Sequence, residues 1–91
     1  MTHWLYILLC DNNTYYTGYT VDLLRRYREH QAGSAKCKYT RSFKPLGLVQ
    51  VWPFDDKSMA LKGEWKIKQL TRLQKERLIA CPTDLLSQLT E

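Results

Sequence analysis

No lysine or arginine occurs in the first 24 residues; all fourteen lie between Arg25 and Arg77. From Arg25 to Lys44 the basic residues Arg25, Arg26, Arg28, Lys36, Lys38, Arg41 and Lys44 stand against Glu29 alone. On a chain of net charge +5 this concentrates a positive field that attracts polyanions. A solvated surface has the same composition, so charge alone does not choose between the two.

The chain also lacks any C-x-x-C pair. Its three cysteines, Cys10, Cys37 and Cys81, are odd in number and far apart, which argues for reduced thiols over a disulfide framework or zinc ribbon. No run approaches the roughly 18 apolar residues that cross a bilayer. The start, Met1-Thr2-His3, has no charged region or apolar stretch of a secretory signal. A soluble, cytoplasmic protein without a membrane partner is expected. There is no internal repeat, low-complexity tract or linker, so residues 1–91 are expected to form one domain. Its 44% of hydrophobic residues suffice for a modest core.

Residues 4–9 are apolar on both alternating faces, as in a central strand covered on both sides. Asp11-Asn12-Asn13 is turn chemistry, and the β-formers of residues 14–19 complete a hairpin. A three-residue loop would set Tyr6 opposite Gly18 and Leu8 opposite Tyr16, bringing both phenols to one face. Thr20 or Asp22 caps a helix to about Gln31, stopped by Gly33, with Leu23, Leu24 and Tyr27 toward the sheet. Arg26 and His30 stand four apart on it and project together. Residues 33–45 read as a basic loop, and Leu46 to Trp52 as a third strand ended by Pro53. Asp55 or Asp56 starts a helix through about Leu70, and residues 72–80 form another, stopped by Pro82. Residues 82–91 make a short helical or frayed tail. Trp4, Trp52 and Trp65 are expected in the core. The fold class is α/β of the α+β type: a small three-stranded antiparallel sheet flanked by helices.

Tyr6, the Tyr16-Thr17-Gly18 triplet, Arg26 ten residues after Tyr16, and His30 four further on form an ordered pattern. Glu64 follows in the later helix, and Lys38-Tyr39-Thr40-Arg41 lies between. In this order and spacing the chain resembles the GIY-YIG endonuclease superfamily, within it the small stand-alone bacterial branch of YhbQ-like proteins. The resemblance covers nearly the whole chain. It implies a GIY-YIG-like fold and a metal-dependent nuclease of DNA phosphodiesters, possible work in DNA repair or processing, and Glu64 as ligand of one Mg²⁺ or Mn²⁺. No organic cofactor is expected. Many members carry an asparagine in the last helix; here none follows Asn13.

The chemistry suits these residue types. Arg26 offers a permanently charged fork of donors for phosphate oxygens. One carboxylate such as Glu64 can hold a hard cation that keeps most of its waters; its alternative is an ion pair with Arg26 or Lys68. Tyr16 is the leading candidate base, with Tyr6 and His30 orienting the water or sharing the proton. A phenol must fall by ~2–3 units, about 3–4 kcal/mol, to serve at pH 7. Gly18 would let the chain approach substrate, or mark a strand bulge. Arg25, Lys36, Lys38, Tyr39, Thr40, Arg41 and Lys68 are the expected nucleic-acid contacts, with Tyr39 and Phe43 placed to stack on a base. The expected partner is DNA (branched, nicked or damaged) or RNA, with a protein partner for targeting. Two other readings stand beside the nuclease: a nucleic-acid-binding module with little or no catalysis, and a protein-interaction adaptor without salt-dependent DNA affinity.

Overall fold

The computed structural model describes residues 1–90. The strand β1 (His3–Cys10) is the centre of a three-stranded antiparallel sheet, flanked by β2 (Tyr15–Thr20) and β3 (Pro45–Phe54). Its central place follows from its sequence: Leu5, Tyr6, Ile7 and Leu8 point alternately to both faces, and all are buried.

The β1–β2 hairpin closes through Cys10 N–H to Thr14 C=O and Asn13 N–H to Cys10 C=O, both 2.9 Å. Asn13 takes a left-handed φ of 64°, which the asparagine backbone tolerates in a three-residue hairpin loop. Tyr6 therefore pairs with Gly18 and Leu8 with Tyr16, as the odd loop requires. The third strand is longer than its proline suggests. It includes both Pro45 and Pro53, because an edge strand has one side without ladder partners and proline costs little there. A shift in pairing from Ile7–Gln50 to Leu8–Leu48 leaves Val49 as the extra residue of a bulge in β3.

Helices cover both faces. Leu5, Ile7, Trp52 and Phe54 pack on α3 (Lys57–Lys68), α4 (Arg72–Ala80) and α5 (Asp84–Leu89) through Ala60, Ile67, Leu78, Leu85 and Leu89. The tail is thus a packed helix rather than a frayed end, with Leu85 and Leu89 in the core. Glu91 lies outside the described residues. The opposite face, with Tyr6 and Tyr16, receives α1 (Leu23–Ala32) and the short α2 (Lys38–Ser42). The basic loop is therefore helical in its second half. Asp22 caps α1, accepting from Arg25 N–H at 3.1 Å, and Gly33 ends it at φ 68°. Two expected core residues are corrected. Leu24 is 60% and Trp65 64% exposed, each on the outward side of its helix. No helix among the described residues is long and apolar enough to cross a membrane.

Candidate active site

Tyr6 of β1, Tyr16 of β2 and His30 of α1 meet on one face of the sheet. The Tyr6 Oη and His30 Nε2 are 2.7 Å apart, and the Tyr16 ring lies 5.1 Å from the imidazole and 6.5 Å from Tyr6. His30 is fully buried, and its Nδ1 lies 2.7 Å from Thr40 Oγ1. The cap at Asp22 sets the phase of α1, so that His30 turns inward while Arg26, one turn earlier, reaches the rim.

Burial governs these groups. The Tyr6 hydroxyl is pushed well above the ordinary phenol range by burial, although the Arg26 guanidinium beside it favours the phenolate. Burial also raises Tyr16; Arg26 opposes this, and Cys37 and Glu64 add to it. Arg26 by itself therefore does not supply the lowering that a Tyr16 base requires at pH 7. Burial, with Arg26 repelling the imidazolium, lowers His30 to about 4, so it is neutral at pH 7.

Arg26 is aimed by Glu29, whose Oε1 is 3.4 Å from Nη1. The same carboxylate lies 3.9 Å from both Arg25 and Lys36. Beside it opens a groove of about 490 Å³, lined among others by Tyr19, Asp22, Arg25, Arg26, Lys36 and Lys57. Glu29 and Lys57 were not singled out by sequence. The spacing of Glu29 three residues after Arg26 was legible there; the approach of Lys57 across the chain was not.

Glu64 comes from α3, in the layer across the sheet, and influences Tyr16 at the β2 edge. Its carboxylate pairs with Lys68 at 3.7 Å, the second of the two expected ion-pair partners. Among the described residues no three His, Cys, Asp or Glu cluster as metal ligands. One carboxylate without nitrogen or sulfur companions suits a hard cation that retains its waters, not zinc.

Two expected nucleic-acid contacts are corrected. Thr40 is fully buried against His30, and Gly18 is buried beneath the Tyr6 ring, which a β-carbon at 18 would strike. Gly18 forms no bulge in the β1–β2 pairing; it makes room for Tyr6. Tyr39 is partly committed as well: its ring stacks on Tyr16 at 5.6 Å. Its hydroxyl bonds Thr14 Oγ1 and accepts from Asn12 Nδ2. Phe43 extends this aromatic row at 5.2 Å and is 38% exposed. Lys38, Arg41 and Lys68 are exposed. The support from Asn12 and Thr14 had no signal beyond turn propensity.

The model of the GIY-YIG catalytic domain matches residues 2–77. A UPF0213 protein of Halobacterium salinarum is 50% identical over 76 residues, 84% of this chain and 97% of that one. A UPF0213 protein of Halalkalibacterium halodurans is 42% identical over 80 residues, 88% of this chain and 84% of that one. The solution NMR structure of the UPF0213 protein BH0048 from Bacillus halodurans matches with a TM-score of 0.60 at 42% identity, covering 89% of this chain and 85% of that one. The three-stranded antiparallel sheet and its surrounding helices agree with this match. The chain belongs to the GIY-YIG family, a nuclease-type family whose members bind DNA and generally use a divalent metal.

Proposed function

We propose that this chain hydrolyses DNA phosphodiester bonds with one Mg²⁺ or Mn²⁺ held by Glu64. The observation that carries the reading is the buried Tyr6–His30 hydrogen bond beside Arg26 and Tyr16, assembled from three separate elements. Arg26 binds the phosphate through its fork of donors, and Arg25, Lys36 and Lys57 hold flanking phosphates along the groove. Tyr6 orients the attacking water. As the new O–P bond forms, the water proton passes to the Tyr6 oxygen and the Tyr6 proton passes to His30 Nε2. The bond to the leaving sugar oxygen breaks, and a solvent proton completes that hydroxyl. A divalent ion at Glu64 would neutralise charge on the phosphoryl and leaving oxygens.

Burial and charge decide between the proton routes. With His30 at about 4, the imidazolium costs roughly 4 kcal/mol at pH 7. Burial holds the Tyr16 hydroxyl above the ordinary phenol range, so its phenolate is disfavoured at pH 7. A phosphate paired with Arg26 cancels that residue's repulsion of His30 while opposing any phenolate. Substrate binding therefore favours the Tyr6–His30 route, and Tyr16 packs the pair as its third member.

The test is a manganese-supplemented cleavage panel on single-stranded, nicked, flapped and branched DNA. Nicking lost in Glu64→Ala, with DNA binding kept, supports the enzyme. A second reading, a binding module, is favoured by the Lys68 ammonium on Glu64 and the lack of any asparagine after Asn13. Salt-dependent binding without turnover in any metal would select it.

A further inference from the structure

His30 is buried between two hydroxyls, each 2.7 Å from one of its nitrogens: Tyr6 Oη at Nε2 and Thr40 Oγ1 at Nδ1. A neutral imidazole carries one donor and one acceptor nitrogen, so the two hydroxyls cannot play the same part. Their other neighbours decide which does which. Thr40 Oγ1 lies 3.3 Å from the carbonyl of Cys37, and only the threonine can donate in that contact. Its proton is therefore spent on Cys37, and its lone pairs are left to accept from Nδ1–H.

The Tyr6 end agrees with this assignment. The Arg26 guanidinium beside that hydroxyl only donates, so the Tyr6 proton finds its acceptor in the bare Nε2 lone pair 2.7 Å away.

We propose that Thr40 is the positioning residue of the site: its hydroxyl locks His30 as the Nδ1–H tautomer and turns the bare Nε2 lone pair to Tyr6. Protons then run one way, from Tyr6 to His30, from His30 to Thr40 and from Thr40 to the Cys37 carbonyl. With its own hydrogen directed inward, Tyr6 offers its outward lone pair as acceptor to whatever enters beside Arg26. That suits a water giving up a proton and not a phosphate oxygen seeking one. The basic loop thus contributes a buried hydroxyl to the reacting pair as well as surface charge. The kinetic consequence rests on the nuclease reading above; the tautomer does not.

The experiment is ¹⁵N NMR of the full chain with labelled histidine, beside a nicking assay. The expected wild-type spectrum shows His30 protonated at Nδ1 and bare at Nε2, and Thr40→Ser keeps it. Thr40→Val cannot accept from Nδ1–H, so its His30 becomes mixed or Nε2-protonated and nicking falls about tenfold or more, while Thr40→Ser stays within about twofold. A wild-type His30 protonated at Nε2 overturns the assignment outright, whether or not any variant folds. So does a folded Thr40→Val chain with an unchanged spectrum. A chain that cuts no substrate in any metal sinks the nuclease reading, and the spectrum still decides Thr40.

Discussion

Tyr6 lies across Gly18 of the adjacent strand, its ring and hydroxyl filling the space a β-carbon there would occupy. The glycine is what permits a tyrosine to lie down at this point and reach His30. Gly18→Ala is expected to destabilise the fold by about 1–3 kcal/mol through overpacking. It also displaces Tyr6 from His30. Tyr6→Phe keeps Cζ and gives no relief, whereas a Tyr6→Leu background does. Thermal denaturation of the three variants checks this; an unchanged midpoint for Gly18→Ala contradicts it.

Stability should depend on pH through His30. Its folded value, about 4, lies below the ordinary 6.5, so between these values the unfolded chain binds the extra proton. The stabilisation is complete above pH 6.5 and is lost as pH falls toward 4, on the order of 3 kcal/mol. Urea denaturation from pH 7.5 to 4 reads the slope. His30→Gln, which does not titrate, should flatten it; a slope equal to wild type assigns the effect elsewhere.

Glu29 holds Arg25, Arg26 and Lys36 against one carboxylate. These pairs are partly exposed, so Glu29→Gln should cost less than about 1 kcal/mol of stability. Removing the negative charge from a basic groove should tighten DNA binding severalfold at low salt. The gain should fade as salt is raised. Fluorescence anisotropy across a salt series measures both; weaker binding at low salt contradicts the groove assignment.

The Lys68 ammonium competes with any cation for Glu64. Lys68→Ala should lower the manganese concentration needed for half-maximal nicking by about two- to fivefold, the worth of a partly exposed pair. Lys66→Ala, two residues earlier on the same helix, serves as control. Equal manganese dependence in the two variants would remove Glu64 from metal binding.

Much of this protein was decided along the chain. The strand apolar on both faces, the odd-length turn that sets both phenols on one side, the Asp22 cap with its Gly33 stop, and the Arg26–His30 spacing are all short-range facts. Period, parity and capping act within a few residues, so neighbours in sequence suffice to read them. Tertiary structure decided what those side chains touch. Thr40, placed by its basic neighbours on the surface, is buried because α2 folds the loop back over α1. The Tyr39 hydroxyl accepts from Asn12 and bonds Thr14, more than twenty residues earlier, and Leu24 and Trp65 stay exposed where an apolar side chain suggests a core. The direction of the tyrosine shifts was likewise out of reach, since desolvation depends on what packs around a hydroxyl and not on which residues precede it.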